Sequence, residues 1–293
     1  MTGNVLFLGL GYSARPLAQR LVKEGWSVKG TTRDRTKAMR LAAEGIAPLV
    51  WSAPQPLPKA AAEEADVIVV STGPSQGTCP SLSALPPDAF YGGTQVLYLS
   101  SSGVYGDKEG GWIDENEPCH PETERGKDRL SAEEQWVSWA KREGARLTLC
   151  RLAGIYGPGR SAIDSLRGDT PGARAGLTRR LDKPGQVFNR IHRDDIAAGH
   201  YALMGMGEPP EIVNFADDHP SPSADPITFA AELLGIEPPP LQSFKEVEEE
   251  LSPMARSFYA ENKRLRNDRL KALPGFSLRY PSYKEGLRAI YER

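Results

Sequence analysis

The feature that most constrains this chain lies near its start. The apolar run Val5-Leu6-Phe7-Leu8 breaks at once into Gly9-Leu10-Gly11-Tyr12-Ser13-Ala14, and a helical pattern follows. A strand, a glycine turn and a helix in that order open a βαβ unit. Gly9 and Gly11 offer the permissive backbone and missing side chains that let a pyrophosphate approach, and the first N–H groups of the helix are left for it. Ala14 holds the third position, where close helix–strand packing requires a small residue. The turn implies a dinucleotide site built from Gly9, Gly11, Tyr12, Ser13 and Ala14. The plainer alternative is a tight turn with no ligand.

Short β-rich runs at 5–8, 28–32, 48–51, 67–71, 96–100 and 147–152 alternate with helical patterns. Several are continuously apolar, as strands covered on both faces must be. Helices are predicted at 13–24, at about 36–44 with Asp34 at its entry and Gly45 at its stop, and at about 124–143. The last draws its apolar positions from Leu130, Ala132, Trp136, Val137, Trp139 and Ala140. The Pro-, Gly- and Ser-crowded segment 74–95 has room for only a turn or two of helix. After residue 152 the alternation fails, a Gly/Arg-rich stretch runs over 157–185, and further elements are predicted at 187–192, 194–204, 212–215 and 227–234, followed by a polar C-terminal segment. The fold class is therefore α/β, a Rossmann-type doubly wound parallel sheet with a smaller C-terminal substrate lobe. Residues 1–156 form the dinucleotide core and 157–293 the lobe, with 187–216 returning to the core.

Composition excludes several classes. A net charge of −2 gives no general reason to bind nucleic acid or an anionic membrane. Gly and Pro, 29 and 25 of 293 residues, stay short of the roughly 25–30% that marks disorder. The three cysteines, Cys79, Cys119 and Cys150, are widely spaced and form no C-x-x-C pair, so a reducing compartment fits better than a disulfide framework. None of His120, His192, His200 and His219 stands at ligand spacing from another His or Cys, so no metal is expected. The N-terminus lacks a basic leader and no apolar stretch approaches the roughly 18 residues of a membrane span. The expected location is cytoplasmic.

At the tip of the second strand the chain reads Gly30-Thr31-Thr32-Arg33. A carboxylate there would accept from ribose hydroxyls and repel a 2′-phosphate, whereas Thr32 and Arg33 can bind one. NADP(H) is therefore favoured over NAD(H). Asp34 competes: it either caps the next helix or, turned inward, favours NAD. Ser71 and Thr72, ending the fourth strand, are further cofactor candidates.

Several longer landmarks then carry a resemblance. They are Ser100-Ser101-Ser102-Gly103-Val104-Tyr105-Gly106, Asp114-Glu115-Asn116-Glu117-Pro118, Arg151-Leu152-Ala153-Gly154-Ile155-Tyr156-Gly157-Pro158-Gly159, Asn189-Arg190-Ile191-His192-Arg193-Asp194-Asp195-Ile196-Ala197 and Asn214-Phe215-Ala216-Asp217-Asp218. With the glycine turn they resemble the extended short-chain dehydrogenase/reductases, the NAD-dependent epimerase/dehydratase group, and especially its atypical bacterial members. The resemblance implies that Ser101 polarises the substrate, with Ser102 as fallback, and that a Tyr and a Lys four residues apart share one face of the following helix. In the helix register set by Ala132-Glu133 those two positions hold Arg125 and Arg129. Arginine stays protonated, so Arg125 cannot exchange a proton as tyrosine does, but it can bind a carboxylate or phosphate. Arg129 can still donate to ribose hydroxyls.

Tyr105 and Tyr156 are the remaining phenols expected near the crevice, as acids or as packing residues. Arg160, Arg167, Arg174, Arg179, Arg180 and Arg190 hint at an anionic or nucleotide-sugar-like substrate, against the plainer reading of a mixed-charge loop with Asp164, Asp169 and Asp182. His192 is a further substrate-contact candidate, and Asp194-Asp195 are read as helix caps. Monomer and homodimer both stay open, because the short 74–95 segment undermines one of the helices on which dimers of this superfamily often pair. The functional expectation is an NADP-dependent oxidoreductase or epimerase-like enzyme acting through Ser101, Arg125 and Arg129. The alternative is a catalytically silent NADP(H)-binding sensor or scaffold.

Overall fold

The structure, a computed structural model, describes residues 2–86, 93–168 and 177–293. Its first half runs β1 (Asn4–Leu8), α1 (Arg15–Lys23), β2 (Ser27–Thr32), α2 (Arg35–Ala43), β3 (Ala47–Val50), α3 (Lys59–Glu63), β4 (Val67–Val70), α4 (Pro80–Ser83), β5 (Gln95–Ser101), β6 (Trp112–Ile113), α5 (Glu124–Glu143) and β7 (Arg146–Leu152). There follow β8 (Gly154–Tyr156), α6 (Ala162–Arg167), β9 (Arg180–Asp182), β10 (Arg190–His192), α7 (Arg193–Met204), β11 (Ile212–Phe215) and α8 (Ala224–Leu234). The chain closes through β12 (Leu241–Ser243), α9 (Phe244–Val247), α10 (Pro253–Ser257), β13 (Arg264–Leu265), α11 (Asp268–Lys271) and α12 (Tyr283–Tyr291).

Seven strands form one parallel sheet in the order β3-β2-β1-β4-β5-β7-β11. The order reverses between β1 and β4, and ligands bind outside the carboxyl ends of the strands at such a switch point. Alternate side chains of the inner strands serve the two faces. Phe7, Val69, Leu97 and Leu99 pack with Leu17, Leu21 and Ile196 on one side. Leu6, Leu8, Ile68 and Tyr98 meet Trp136 and Trp139 of α5 on the other. Asp34 accepts from the N–H groups of Thr36 and Lys37, so it caps α2. Thr123 caps α5, whose C-terminus turns off at Gly144 with φ +68°. Val137, expected on the apolar face of α5, is instead exposed to the extent of 49%.

The second half departs further from its sequence pattern. The predicted strand at 187–192 shortens to β10 and pairs with β8 outside the main sheet, because Phe188 bonds to Ser221 instead. The polar C-terminal segment contains α12, which buries Tyr283, Leu287 and Ile290 with Tyr156, Ile163 and Ala230 as the core of the lobe. The capping expectation for Asp194-Asp195 is corrected too. His192 Nδ1 accepts from the Asp194 N–H and caps α7, whereas the Asp195 carboxylate accepts from the N–H groups of Arg279 and Tyr280. Arg174, Asp169 and the stretch 87–92 lie outside the described residues. No described helix is long and apolar enough to cross a membrane.

Candidate functional site

The glycine turn crosses the carboxyl edge of the sheet. Gly9 has φ +84°, a conformation that side chains resist, and a Cβ there would lie 2.8 Å from Thr72 Cγ2. Gly11 needs no such backbone; a Cβ on it would meet nothing within 4 Å, so the space beside it is open to a ligand. The turn is fixed from its flanks. The Gly9 N–H donates to Thr31 Oγ1 at 2.7 Å, the Leu10 N–H to the Thr31 carbonyl at 3.1 Å, and the Ser71 hydroxyl to the Gly9 carbonyl. Ser71 and Thr72 thus support the turn, Thr72 being bonded to Ser81 at 2.6 Å. Ala14 is buried, Ser13 half-buried, and α1 carries no side-chain cap, which leaves its first N–H groups for an anion. These residues fit the pyrophosphate of a dinucleotide.

At the tip of β2, Thr32 Oγ1 accepts from the Asp34 N–H at 3.2 Å, and the Arg33 side chain is exposed. Lys37 is a residue the sequence reading missed. One turn into α2, it reaches back and donates to the Leu10 carbonyl. Burial first, then neighbouring Arg15, lower its pKa. Its spacing from Arg33 was the available signal.

The carboxyl end of β5 holds the second group. Ser101 Oγ accepts from the Gly103 N–H at 3.2 Å and closes the 3-10 turn that follows; Ser102 lies half-buried beside it. Gly126 of α5 lets the helix approach that turn, since a Cβ there would sit 2.9 Å from the Gly103 carbonyl oxygen. Arg129 donates from Nη1 to the Leu99 carbonyl at 3.0 Å and to the Tyr98 hydroxyl at 3.1 Å. Its Nη2 lies 3.8 Å from the side-chain position of Gly73, in the segment after β4. Arg125 is exposed, its guanidinium 5.1 Å from the Phe258 ring centroid. Stacking of that kind leaves the in-plane N–H donors free.

Other expected contacts have interior partners. Tyr105 is fully buried and donates to Asn214 Oδ1 at 2.8 Å, and burial pushes its phenol up to about 12. Tyr156 is buried against Gly286 and donates to the Ser282 carbonyl. His192 is enclosed by the rings of Tyr156 and Tyr280, and burial lowers its pKa to about 4. Arg190 donates to the carbonyls of Phe188 and Pro222 and to Ser221 Oγ. Tyr105, Tyr156 and Arg190 thus spend their polar groups on interior partners, whereas His192 Nε2 is buried without one. Arg179 and Arg180 are likewise engaged, with Glu250 and Thr228. Arg160 lies against Tyr12 of the glycine turn, 4.4 Å from its ring centroid. A surface groove lined by Cys119, His120, Lys127 and Glu134 holds none of these groups. Among the described residues no cluster of three His, Cys, Asp or Glu is placed to hold a metal.

A sequence profile of the NAD dependent epimerase/dehydratase family matches residues 5–216. The chain belongs to this family. It is a Rossmann-type, epimerase-like protein whose cofactor is a nicotinamide dinucleotide. Protein YeeZ of Escherichia coli strain K12 is 29% identical over 259 residues, 80% of this chain and 85% of that one. A functionally unknown conserved protein from Silicibacter pomeroyi DSS is 40% identical and superposes with a TM-score of 0.86, covering 99% of this chain and 98% of its own. UDP-glucuronic acid 4-epimerase from Bacillus cereus, in complex with NAD, is 16% identical with a TM-score of 0.74 over 99% and 96% of the two chains. At that identity it shows the shared fold.

Proposed function

We propose that this family member is an NADP(H)-dependent oxidoreductase or epimerase-like enzyme for a small anionic substrate of the nucleotide-sugar class, with Arg125 and Arg129 in place of the usual Tyr and Lys. The observation that carries the reading is the position of Arg129. Its half-buried guanidinium spans the carboxyl ends of β4 and β5, where the nicotinamide ribose of a dinucleotide laid along the switch point belongs. When bound, the nicotinamide supplies hydride transfer.

The chain's own groups supply the rest. Arg33 and Lys37 flank the place for a 2′-phosphate, and Asp34, spent as a helix cap, opposes it least in that role. The Ser101 hydroxyl, an acceptor toward Gly103, keeps its proton to donate to a substrate oxygen. Arg125 holds the substrate's carboxylate or phosphate. UDP-glucuronic acid and UDP-glucose, present in solved relatives of the same fold, are the substrate class to try first. Free cysteines fit a reducing cytoplasm.

A second reading, a silent NADP(H)-binding sensor or scaffold, is favoured by one observation. Arg125 brings no titratable proton to the acid/base position, and Tyr105 and Tyr156 are buried away from it. Fluorescence titration with NADPH and NADH tests the cofactor, and tighter NADH binding, or unchanged NADPH affinity in R33E, rejects NADP(H). Screening the loaded protein against UDP-sugars, aldehydes and ketones tests the enzyme. Turnover lost in S101A rejects the silent binder, and no turnover with any of them rejects the enzyme reading for these substrates.

A further inference from the structure

We propose that Arg160 and Arg193 reach from the lobe onto Tyr12 and form, with the glycine turn, a diphosphate subsite that takes the pyrophosphate of the dinucleotide. This rests on the cofactor reading above. It assigns Arg160 to the cofactor and gives a role to Arg193, which the sequence does not single out.

Tyr12 immediately follows Gly11, and two guanidinium carbons lie close to its ring centroid, Arg160 at 4.4 Å and Arg193 at 4.8 Å. The contact is built in from both sides. The Tyr12 hydroxyl donates to the Pro158 carbonyl at 3.2 Å. Any side chain on Gly157 would strike that hydroxyl at 2.8 Å and Arg193 Cγ at 3.0 Å. The loop after β8 and the start of α7 are therefore seated on the turn, and the ring holds both cations beside the uncapped end of α1.

The charges around them leave Arg193 with one long, shared ion pair and Arg160 with none among the described residues. Asp164 is consumed by its own helix start, accepting from the Ser161 N–H at 2.9 Å and the Ser161 hydroxyl at 2.5 Å. Asp194 lies 3.6 Å from Arg193 Nε, beyond hydrogen-bond reach, and is shared with Arg293 at 3.4 Å. Arg193 Nε is buried with no hydrogen-bond partner. Arg160 is exposed and takes part in none of the ion pairs among the described residues. Stacked arginines keep their in-plane N–H edges free for bidentate phosphate contact. Two such edges beside an open glycine and a helix N-terminus match a diphosphate, which spans two phosphoryl groups, better than a single phosphate.

The same chemistry could be offered by the diphosphate of a nucleotide sugar, so the test separates the two sources. NADPH, UDP-glucose and adenosine 2′-phosphate are titrated into wild type, R160Q, R193Q and R193K. The expected result is NADPH binding weakened about tenfold or more in R160Q and R193Q, less in R193K, with adenosine 2′-phosphate affinity unchanged. NADPH affinity equal to wild type in R160Q and R193Q overturns the subsite and leaves the cofactor reading standing. A loss confined to UDP-glucose overturns it and moves both arginines to the substrate. Wild type that binds no NADPH overturns the cofactor reading and this inference with it. Should R193Q not fold, R160Q, altered at an exposed side chain, decides alone.

Discussion

The Arg151 guanidinium closes a bidentate pair on the Glu133 carboxylate, Nε to Oε1 at 3.2 Å and Nη2 to Oε2 at 2.7 Å, with 5% and 3% of the two side chains exposed. The Ser100 hydroxyl donates to the same Oε1 at 2.5 Å. One carboxylate thus ties β5, α5 and β7 together directly behind Ser101. Removing it strands a buried cation, which costs about 3–5 kcal/mol. E133A is expected to lose that much in urea unfolding. A loss under about 0.5 kcal/mol, the level of an indifferent surface change, would show that the pair holds nothing.

Gly126 sets the distance between α5 and the turn that carries Ser101. Alanine favours a helix by about 1 kcal/mol over glycine, but its Cβ would meet the Gly103 carbonyl oxygen at 2.9 Å and Pro121 Cβ at 2.7 Å. Overpacking typically costs about 1–3 kcal/mol, and a backbone carbonyl yields less than a flexible side chain. G126A is therefore expected to melt lower than wild type. A raised melting temperature would mean that the turn moves freely, and Ser101 with it.

Arg129 donates to a buried strand carbonyl and to a phenol, and its Nη2 lies 3.8 Å from the side-chain position of Gly73. R129K keeps the charge but cannot span both acceptors and the ribose at once. Cofactor affinity is expected to fall about tenfold in R129A, a loss of about 1.4 kcal/mol, and by less in R129K. Calorimetric titration decides; equal NADPH affinity in R129A removes Arg129 from the cofactor site.

Asp217 is buried to 2% exposure, its Oδ2 lacks a partner, and burial raises its pKa to about 8. A carboxyl whose native pKa exceeds its unfolded value binds its proton more tightly when folded. Its contribution is complete below about pH 4 and lost as pH rises through 8. Across pH 6.5 to 8 the buried His192 and His200, with pKa near 4, stay neutral when folded while their unfolded imidazoles lose protons, which raises stability in wild type and variant alike. Relative to D217N, wild type is expected to lose about 1–2 kcal/mol across that window. Parallel pH profiles for the two proteins would refute the assignment.

The first half was legible because its signals are local. Continuous apolar runs at 67–71 and 96–100, the cap at Asp34 and the stop at Gly45 each specify an element from within a few residues, and β4, β5 and α2 follow them. The lobe was less legible. Phe188 abandons the predicted strand for a bond to Ser221, more than thirty residues away in sequence, and no local periodicity reports such a partner.

By itself the sequence determined the α/β class, the order of the sheet's strands along the chain and the glycine turn, since hydrophobic period and glycine placement act over short distances. Tertiary structure alone decided which polar residues face the crevice. Tyr105, Tyr156, Arg190 and His192 share strand ends and loops with the candidate site positions, yet burial commits each to an interior partner. Tyr12, Arg160 and Arg193 meet across nearly two hundred residues. Side-chain direction and desolvation depend on what the rest of the fold places opposite, and a linear pattern carries no record of that.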